Sequence, residues 1–208
     1  MKNKKFFTEL ALITVTASLV SNILAVKQFT FWNLSLPTAM LVFPIIYIVS
    51  DVASEVYGYK ASRKVAWYGF FANLFMVLMF QLAIMLPYPE YFENQEAFKT
   101  ILGNTPRIFI AGQITYIVGD WTNDLTFKIM KEKGGNSFKL RAIVSSMVGE
   151  FFDSGLFIPL AFYGTMPNNV LVQMIFLQWV TKILYEILIL PITQLAVNFV
   201  KKKEGIYE

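Results

Sequence analysis

Five stretches of this chain repeat polar side chains at helical spacing inside otherwise apolar sequence. Asp51 and Glu55 stand four apart in "FPIIYIVSDVASEVYGYK", directly behind Ile45, Ile46, Ile48 and Val49. Gln113, Tyr116, Asp120 and Asp124 share one face of a second stretch, Glu150 and Asp153 mark a third, and Gln178, Lys182 and Glu186 a fourth. Thr14, Ser18 and Asn22 form an uncharged fifth row. A carboxylate can accept two adjacent N–H groups at once, and Lys182, Gln178 or Gln113 can donate to a carbonyl, so this set suits a flat ligand with mixed hydrogen-bonding edges. Trp179, Trp121, Tyr116 and Phe152 lie beside the polar rows, where rings could stack on such a ligand. Histidine and cysteine are both absent, which removes disulfides, thiol catalysis, thiolate or imidazole metal sites and a histidine proton switch. There is no Gly-x-Ser-x-Gly elbow, no complete pair of aspartyl-protease motifs and no phosphate loop. The expectation is no catalytic residue, no metal and no cofactor.

What holds these residues is set by hydropathy. The chain has 208 residues, 56% of them hydrophobic, and a mean hydropathy of +0.52. A window of about 19 residues finds six apolar spans, about 6–26, 36–57, 64–86, 106–130, 141–165 and 169–200. The apolar run at the N-terminus is too long for a signal peptide and lacks a small-residue cleavage site, so it reads as the first span. The expected fold is an all-α polytopic membrane protein, residues 1–208 forming a single domain of six transmembrane helices around a polar central cavity. Between the third and fourth spans, Tyr91, Phe98, Ile101 and Leu102 could form one face of a short interfacial helix. Pro44, Pro159 and Pro191 fall inside spans, where proline commonly kinks a membrane helix.

Positive charge orients the bundle. With six spans and an inner N-terminus, 14 of the 18 basic residues fall on inner segments and only Lys27, Lys99 and Arg107 on outer ones, while Lys182 lies within the sixth span. This asymmetry predicts a cytoplasmic-membrane protein with both termini in the cytoplasm. It also explains the net charge of +4 without nucleic acid, because the basic residues are spread over four inner segments.

The polar rows must avoid lipid. Each ionised group at mid-membrane costs at least about 3 kcal/mol on insertion scales, so Asp51, Asp120, Asp124, Asp153 and Lys182 are expected to face one another. At about 1.5 Å per residue, Asp51, Asp120, Asp124 and Glu150 all fall roughly 9 to 15 Å from the inner surface. Glu55 lies nearer that surface, beside Lys60, Arg63 and Lys64, and is expected to hold the inner end of its helix by ion pairs or to close an inner gate. Lys182 has a carboxylate one turn away in Glu186 and could instead neutralise the deeper carboxylates.

Several spaced motifs together resemble the queuosine precursor transporters, also called the vitamin uptake transporter family. They are "SN" at Ser21 and Asn22, "FP" at Phe43 and Pro44, Asp51 with "EVYG" to Gly58, and Arg107. They continue with "YIVGDWTNDLTF" from Tyr116, "RAIVSSMVGEFFDSGLFIPLAF" from Arg141, and Lys182 with Pro191. Some members carry Gln at the position of Asp120, so that position either varies with substrate or does not touch it. The resemblance implies a six-helix importer of 7-deazapurines: the 7-cyano or 7-aminomethyl precursor bases, or queuine. The substrate-binding candidates are then Asn22, Asp51, Gln113, Tyr116, Asp120, Asp124, Glu150, Asp153, Gln178 and Lys182, with Glu55 and Arg107 as gates.

Energy coupling stays open between a facilitator, a proton symporter and the substrate-binding subunit of an energy-coupling-factor transporter, which is also about this size. That last alternative would bring an ATPase module as partner, yet the Ala-x-x-x-Ala docking motif is missing, since Ala11 and Ala17 are six apart. The expected partners are a small-molecule substrate and the lipid bilayer, with no nucleic acid; a homo-oligomer is a further option.

Overall fold

The computed structural model describes residues 5–31, 34–132 and 138–206, so Lys2, Lys4 and Lys133 of the inner basic set lie outside the described residues. The chain is predominantly helical: α1 (Phe7–Leu24), α2 (Phe43–Tyr57), α3 (Tyr59–Met85), α4 (Gln95–Leu102), α5 (Thr105–Glu132), α6 (Phe138–Phe162) and α7 (Asn168–Glu204). Two short strands, β1 (Gln28–Phe31) and β2 (Leu34–Pro37), pair as a hairpin after α1. A 3-10 turn, Thr38–Leu41, then leads into α2. The hairpin falls where the first interhelical loop was expected and leaves the chain all-α in class.

Among the described residues, four helices are long and apolar enough to cross a membrane: α1, α3, the Ile143–Phe162 part of α6, and α7. At most 22% of each apolar window is buried inside the protein, so these helices turn most of their hydrocarbon outward. Trp67, Phe71, Phe75, Leu78 and Leu82 are exposed along α3, as are Leu184, Ile187, Leu188, Leu195 and Phe199 along α7. Exposed apolar surface of this continuity is untenable in water and natural in lipid. The protein is therefore a helical membrane protein. By length and composition, α2 with its 15 residues and α5 with its several charges do not join the four.

Two compact units partition the chain. The first comprises Met1–Lys27, Pro37–Thr105 and Tyr185–Glu208, and its centre is the packing of α1, α2 and α3. The buried residues of α3 are Ala61, Val65, Gly69, Asn73 and Val77, a row at strict four-residue spacing that offers mostly small side chains. Against it α1 buries Ala11, Ala17 and Ser21. Small residues let helix backbones approach closely, which replaces the hydrophobic drive that lipid does not supply. At the far end, Leu10, Val49, Val52, Val197 and Val200 form an apolar core shared by α1, α2 and the last turns of α7.

Two local features of this unit differ from the expectation. Pro44 sits in the first turn of α2, where the missing N–H has no intrahelical partner to lose, so it starts the helix and kinks nothing. Helix α3 begins at Tyr59, directly after Gly58, and its first turns carry Lys60, Arg63 and Lys64. The corner depends on Gly58, whose φ of +83° is open to glycine and strained for any other residue. In the connection to α5, α4 forms close to the expected interfacial helix, but Tyr91 lies outside it.

The second unit comprises Gln28–Leu36 and Pro106–Leu184. Here α5 and α6 meet through glycines. A Cβ on Gly149 would stand 2.9 Å from the Gly119 carbonyl oxygen and 3.0 Å from the Asn123 Cβ, so only glycine admits this approach. Thr122 and Thr126 turn their hydroxyls back onto carbonyls of α5 itself, which satisfies them without any partner helix. Residues 163–167 connect α6 to α7, and five residues reach at most about 18 Å. Since the two helices bond to each other near their middles, they must run antiparallel.

Candidate functional site

In the second unit the sequence-predicted residues gather around Lys182. Its ammonium contacts the Glu150 carboxylate at 2.8 Å and also bonds the Asp153 carboxylate. The lysine is 6% exposed, while the two carboxylates keep 25% and 22% of their side-chain surface. Glu150 and Asp153 lie one turn apart on α6, and Lys182 reaches both from α7. Trp179 locks the same register by donating its indole N–H to the Met147 carbonyl at 2.9 Å. Phe151 and Phe176 pack edge-on against Trp179, so an aromatic wall adjoins the charges. Helix α5 lies close by, since a Cβ on Gly119 would come within 3.3 Å of the Asp153 Cβ.

Gln178 and Ser154 extend the cluster by one turn. Moving from Lys182 toward the 163–167 connection brings Gln178; moving the same way along α6 from Glu150 brings Ser154. Both are buried, and among the described residues the Gln178 Oε1 and the Ser154 Oγ have no hydrogen-bond partner. The other candidates on α5 are placed differently. Gln113 is half-buried, whereas Tyr116, Asp120 and Asp124 are exposed on that helix.

Arg107 has a definite structural task. Its guanidinium donates to the Leu160 and Tyr163 carbonyls, each at 2.7 Å, and so ties the start of α5 to the C-terminal end of α6, where helix carbonyls lack partners of their own.

The first unit holds Asn22, Asp51 and Glu55. Asp51 is exposed on α2, whose buried face is Val49, Val52 and Ala53. Glu55 pairs at 2.8 Å with Lys201 near the end of α7, a cation distant in sequence and not one of the neighbouring basic residues named from the sequence. Asn22 belongs to a seam between α1 and α3. It donates to the Asn73 Oδ1 at 3.1 Å, and Asn73 donates in turn to the Ser18 Oγ at 2.7 Å and the Gly69 carbonyl at 2.9 Å. Sequence reasoning did not single out Asn73, though an amide in the middle of a 27-residue apolar helix was a usable sign. It also overlooked Glu204, which accepts from the Phe6 backbone N–H and the Tyr57 hydroxyl and so joins α1, α2 and α7 at one end of the unit.

The family described as "Putative vitamin uptake transporter" matches residues 37–196, which take in α2 to α6 and most of α7. The chain belongs to that family. A curated relative, the "Probable queuosine precursor transporter" of Bacillus subtilis (strain 168), is 23% identical over 190 residues, covering 90% of this chain and 83% of the relative. No solved structure matches. Family membership makes this a transport protein of the membrane and not an enzyme.

Proposed function

We propose that this protein imports 7-deazapurine precursors of queuosine, the 7-cyano or 7-aminomethyl base or queuine, across the cytoplasmic membrane. The observation that carries the reading is the ion cluster of Lys182, Glu150 and Asp153 on otherwise lipid-facing helices. Charges on such helices are costly and mark substrate or ion paths by default. The named function of the Bacillus subtilis relative points the same way. In this reading the chain is one membrane domain of six spans, α2 and α5 included, with both termini cytoplasmic. The Lys182 cluster and Gln178 hold the base, and Gln113, Tyr116, Asp120 and Asp124 complete the polar lining; Asn22, a substrate candidate in the sequence, serves the α1/α3 seam instead, and Asp51 on α2 meets substrate or a gate. Opening the outer side would release the Arg107 bonds to α6, and opening the inner side the Glu55 pair with Lys201.

Purified protein in liposomes tests the reading by uptake of labelled queuine and of the two precursor bases. Saturable uptake of at least one, inhibited by the unlabelled compound and absent from empty liposomes, is the expected result. Failure to take up any of the three would overturn it. Activity that appears only after copurification with an ATPase pair would replace it with the subunit of an energy-coupling-factor transporter.

A further inference from the structure

Two groups of cations converge at one end of the first unit. Lys60, Arg63 and Lys64 lie on the first turns of α3, and Lys201, Lys202 and Lys203 on the last turns of α7. The groups adjoin, because Lys201 reaches Glu55 and Glu204 reaches Tyr57 at the close of α2, one glycine before α3 begins. Three acids share this end: Glu55, paired with Lys201, Glu204, bonded to Phe6 and Tyr57, and Glu9 on the first turn of α1. The six cations outnumber them, and Lys60, Arg63, Lys64, Lys202 and Lys203 are all exposed. Beyond the other end of α3 the balance is reversed, with exposed Glu90, Glu93 and Glu96 against Lys99. Three of the cations also rest on exposed aromatic rings of their own helix. The Arg63 guanidinium stands 5.5 Å from the centre of the Tyr59 ring, and the Lys64 and Lys203 ammoniums 5.7 and 5.9 Å from those of Tyr68 and Phe199. Trp67, exposed beside them, stacks on Phe71 where the lipid-facing run of α3 begins. Rings at the end of an apolar run sit at headgroup depth, and lysine and arginine lay their stems along them with the charge in the polar layer. Helix stability gives no reason for cations here, since the start of α3 is the positive end of its dipole.

We propose that this end of the first unit is a binding surface for anionic phospholipid headgroups, whose phosphates lie among Lys60, Arg63, Lys64, Lys202 and Lys203 while the rings beside them reach the upper acyl chains. The inference goes beyond the transport reading and does not depend on which small molecule is carried. A choline headgroup brings its own ammonium, which offsets the attraction of its phosphate for these side chains. An anionic headgroup has no such offset, and each lysine or arginine near it contributes about fivefold in affinity. A lipid fits better than a free phosphate, because exposed rings and hydrocarbon continue directly from the charges along α3 and α7. A free phosphate would use the charges alone.

The test is native mass spectrometry of the purified full-length protein, released from micelles that hold equal amounts of phosphatidylglycerol and phosphatidylcholine with matched acyl chains. Wild type is expected to retain the anionic lipid at least about tenfold more often. Two variants, Lys202→Gln with Lys203→Gln, and Lys60→Gln with Arg63→Gln and Lys64→Gln, should each lower that ratio at least about threefold, and all five substitutions together should bring it near one. Lys99→Gln, beyond the other end of α3, should leave it unchanged. Gel filtration of each variant confirms that it is folded. Equal retention of the two lipids by wild type, a ratio kept by the folded fivefold variant, or an equal fall in Lys99→Gln overturns the inference. Displacement of the bound lipid by inorganic phosphate at constant ionic strength also overturns it, since the surface would then be a free-phosphate site.

Discussion

Between α1 and α3, Asn73 uses both amide hydrogens and its oxygen on Ser18, Gly69 and Asn22, and no group carries a charge. Between α6 and α7, one lysine faces two carboxylates, and an amide and a hydroxyl one turn away have no bonding partner among the described residues. Both sets lie on apolar helices, yet they answer different needs. The seam is nearly closed on itself, with only the Asn22 Oδ1 left without a partner, and its hydrogen bonds serve to hold two small-residue faces in contact. The cluster places charged groups on apolar helices, which the membrane penalises and which by default mark substrate or ion paths. Polar residues on a membrane helix thus separate into architecture and machinery by their remaining capacity, charge and unused acceptors, more than by their number.

The comparison breaks most sharply at Lys182. Lys182→Met removes the ammonium that pairs with both Glu150 and Asp153 and leaves two like charges together. Breaking a buried pair this way costs about 3 to 5 kcal/mol. Uptake by the inserted protein is expected to vanish. The combined variant Lys182→Met, Glu150→Gln, Asp153→Asn should regain stability by neutralising the site and still not transport. Wild-type uptake by either protein would make the cluster structural, like the seam.

Asp51→Asn comes next in size. Asp51 is exposed on α2, away from the buried face of that helix. As a contact to ring N–H and amine groups it would lose a charge-assisted bond worth about 1.5 to 3 kcal/mol, roughly ten- to a hundredfold in affinity. Binding titrations with a 7-deazaguanine measure this; unchanged affinity would leave Asp51 outside the substrate site.

The seam should fail in the opposite manner. Asn73→Ala deletes two cross-links to α1 and one bond within α3, and leaves the Asn22 amide without its partner, with an expected loss of about 1 to 3 kcal/mol in stability. Thermal unfolding in detergent should register it. Uptake per folded molecule should keep the wild-type KM, and a raised KM would move the seam into the substrate path.

The apolar runs made the long helices readable, because lipid demands about 20 residues of hydrocarbon and the chain provides them. Helix ends were less readable, since hydropathy reports depth in lipid and not backbone geometry. Lys60, Arg63 and Lys64 looked like a loop but occupy the first turns of α3, and α7 continues through Lys201–Lys203 to Glu204. The hairpin escaped notice because "QFTF" and "LSLP" are too short to show alternation. At the site, the polar rows and the isolation of Lys182 stood out in sequence, but their pairing did not. Glu186 was the nearest carboxylate in sequence, whereas Glu150 and Asp153 reach Lys182 from another helix by way of a turn. The approach of α5 to Asp153 depends in turn on Gly119 and Gly149, which spacing along one chain cannot express.

The smallest effect is expected at Glu55, where the structure offers a comparison within one helix. Its pair with Lys201 is 2.8 Å long, but the Glu55 side chain is 59% exposed, and exposed ion pairs contribute about 0 to 1 kcal/mol. Beside it, Glu204 already joins α7 to Phe6 and Tyr57, so Glu55→Gln should barely change the melting temperature. Equilibrium binding should also stay intact, because Glu55 lies one turn beyond Asp51 and is engaged by Lys201. What should change is rate. If the α2 and α7 ends part during each cycle, the pair is broken and remade each time, and its loss alters the balance between the closed and open inner states without touching the ligand. Slower uptake at unchanged affinity is the expected signature. Equal loss of binding in Asp51→Asn and Glu55→Gln would show that α2 does not divide these roles between its two acids.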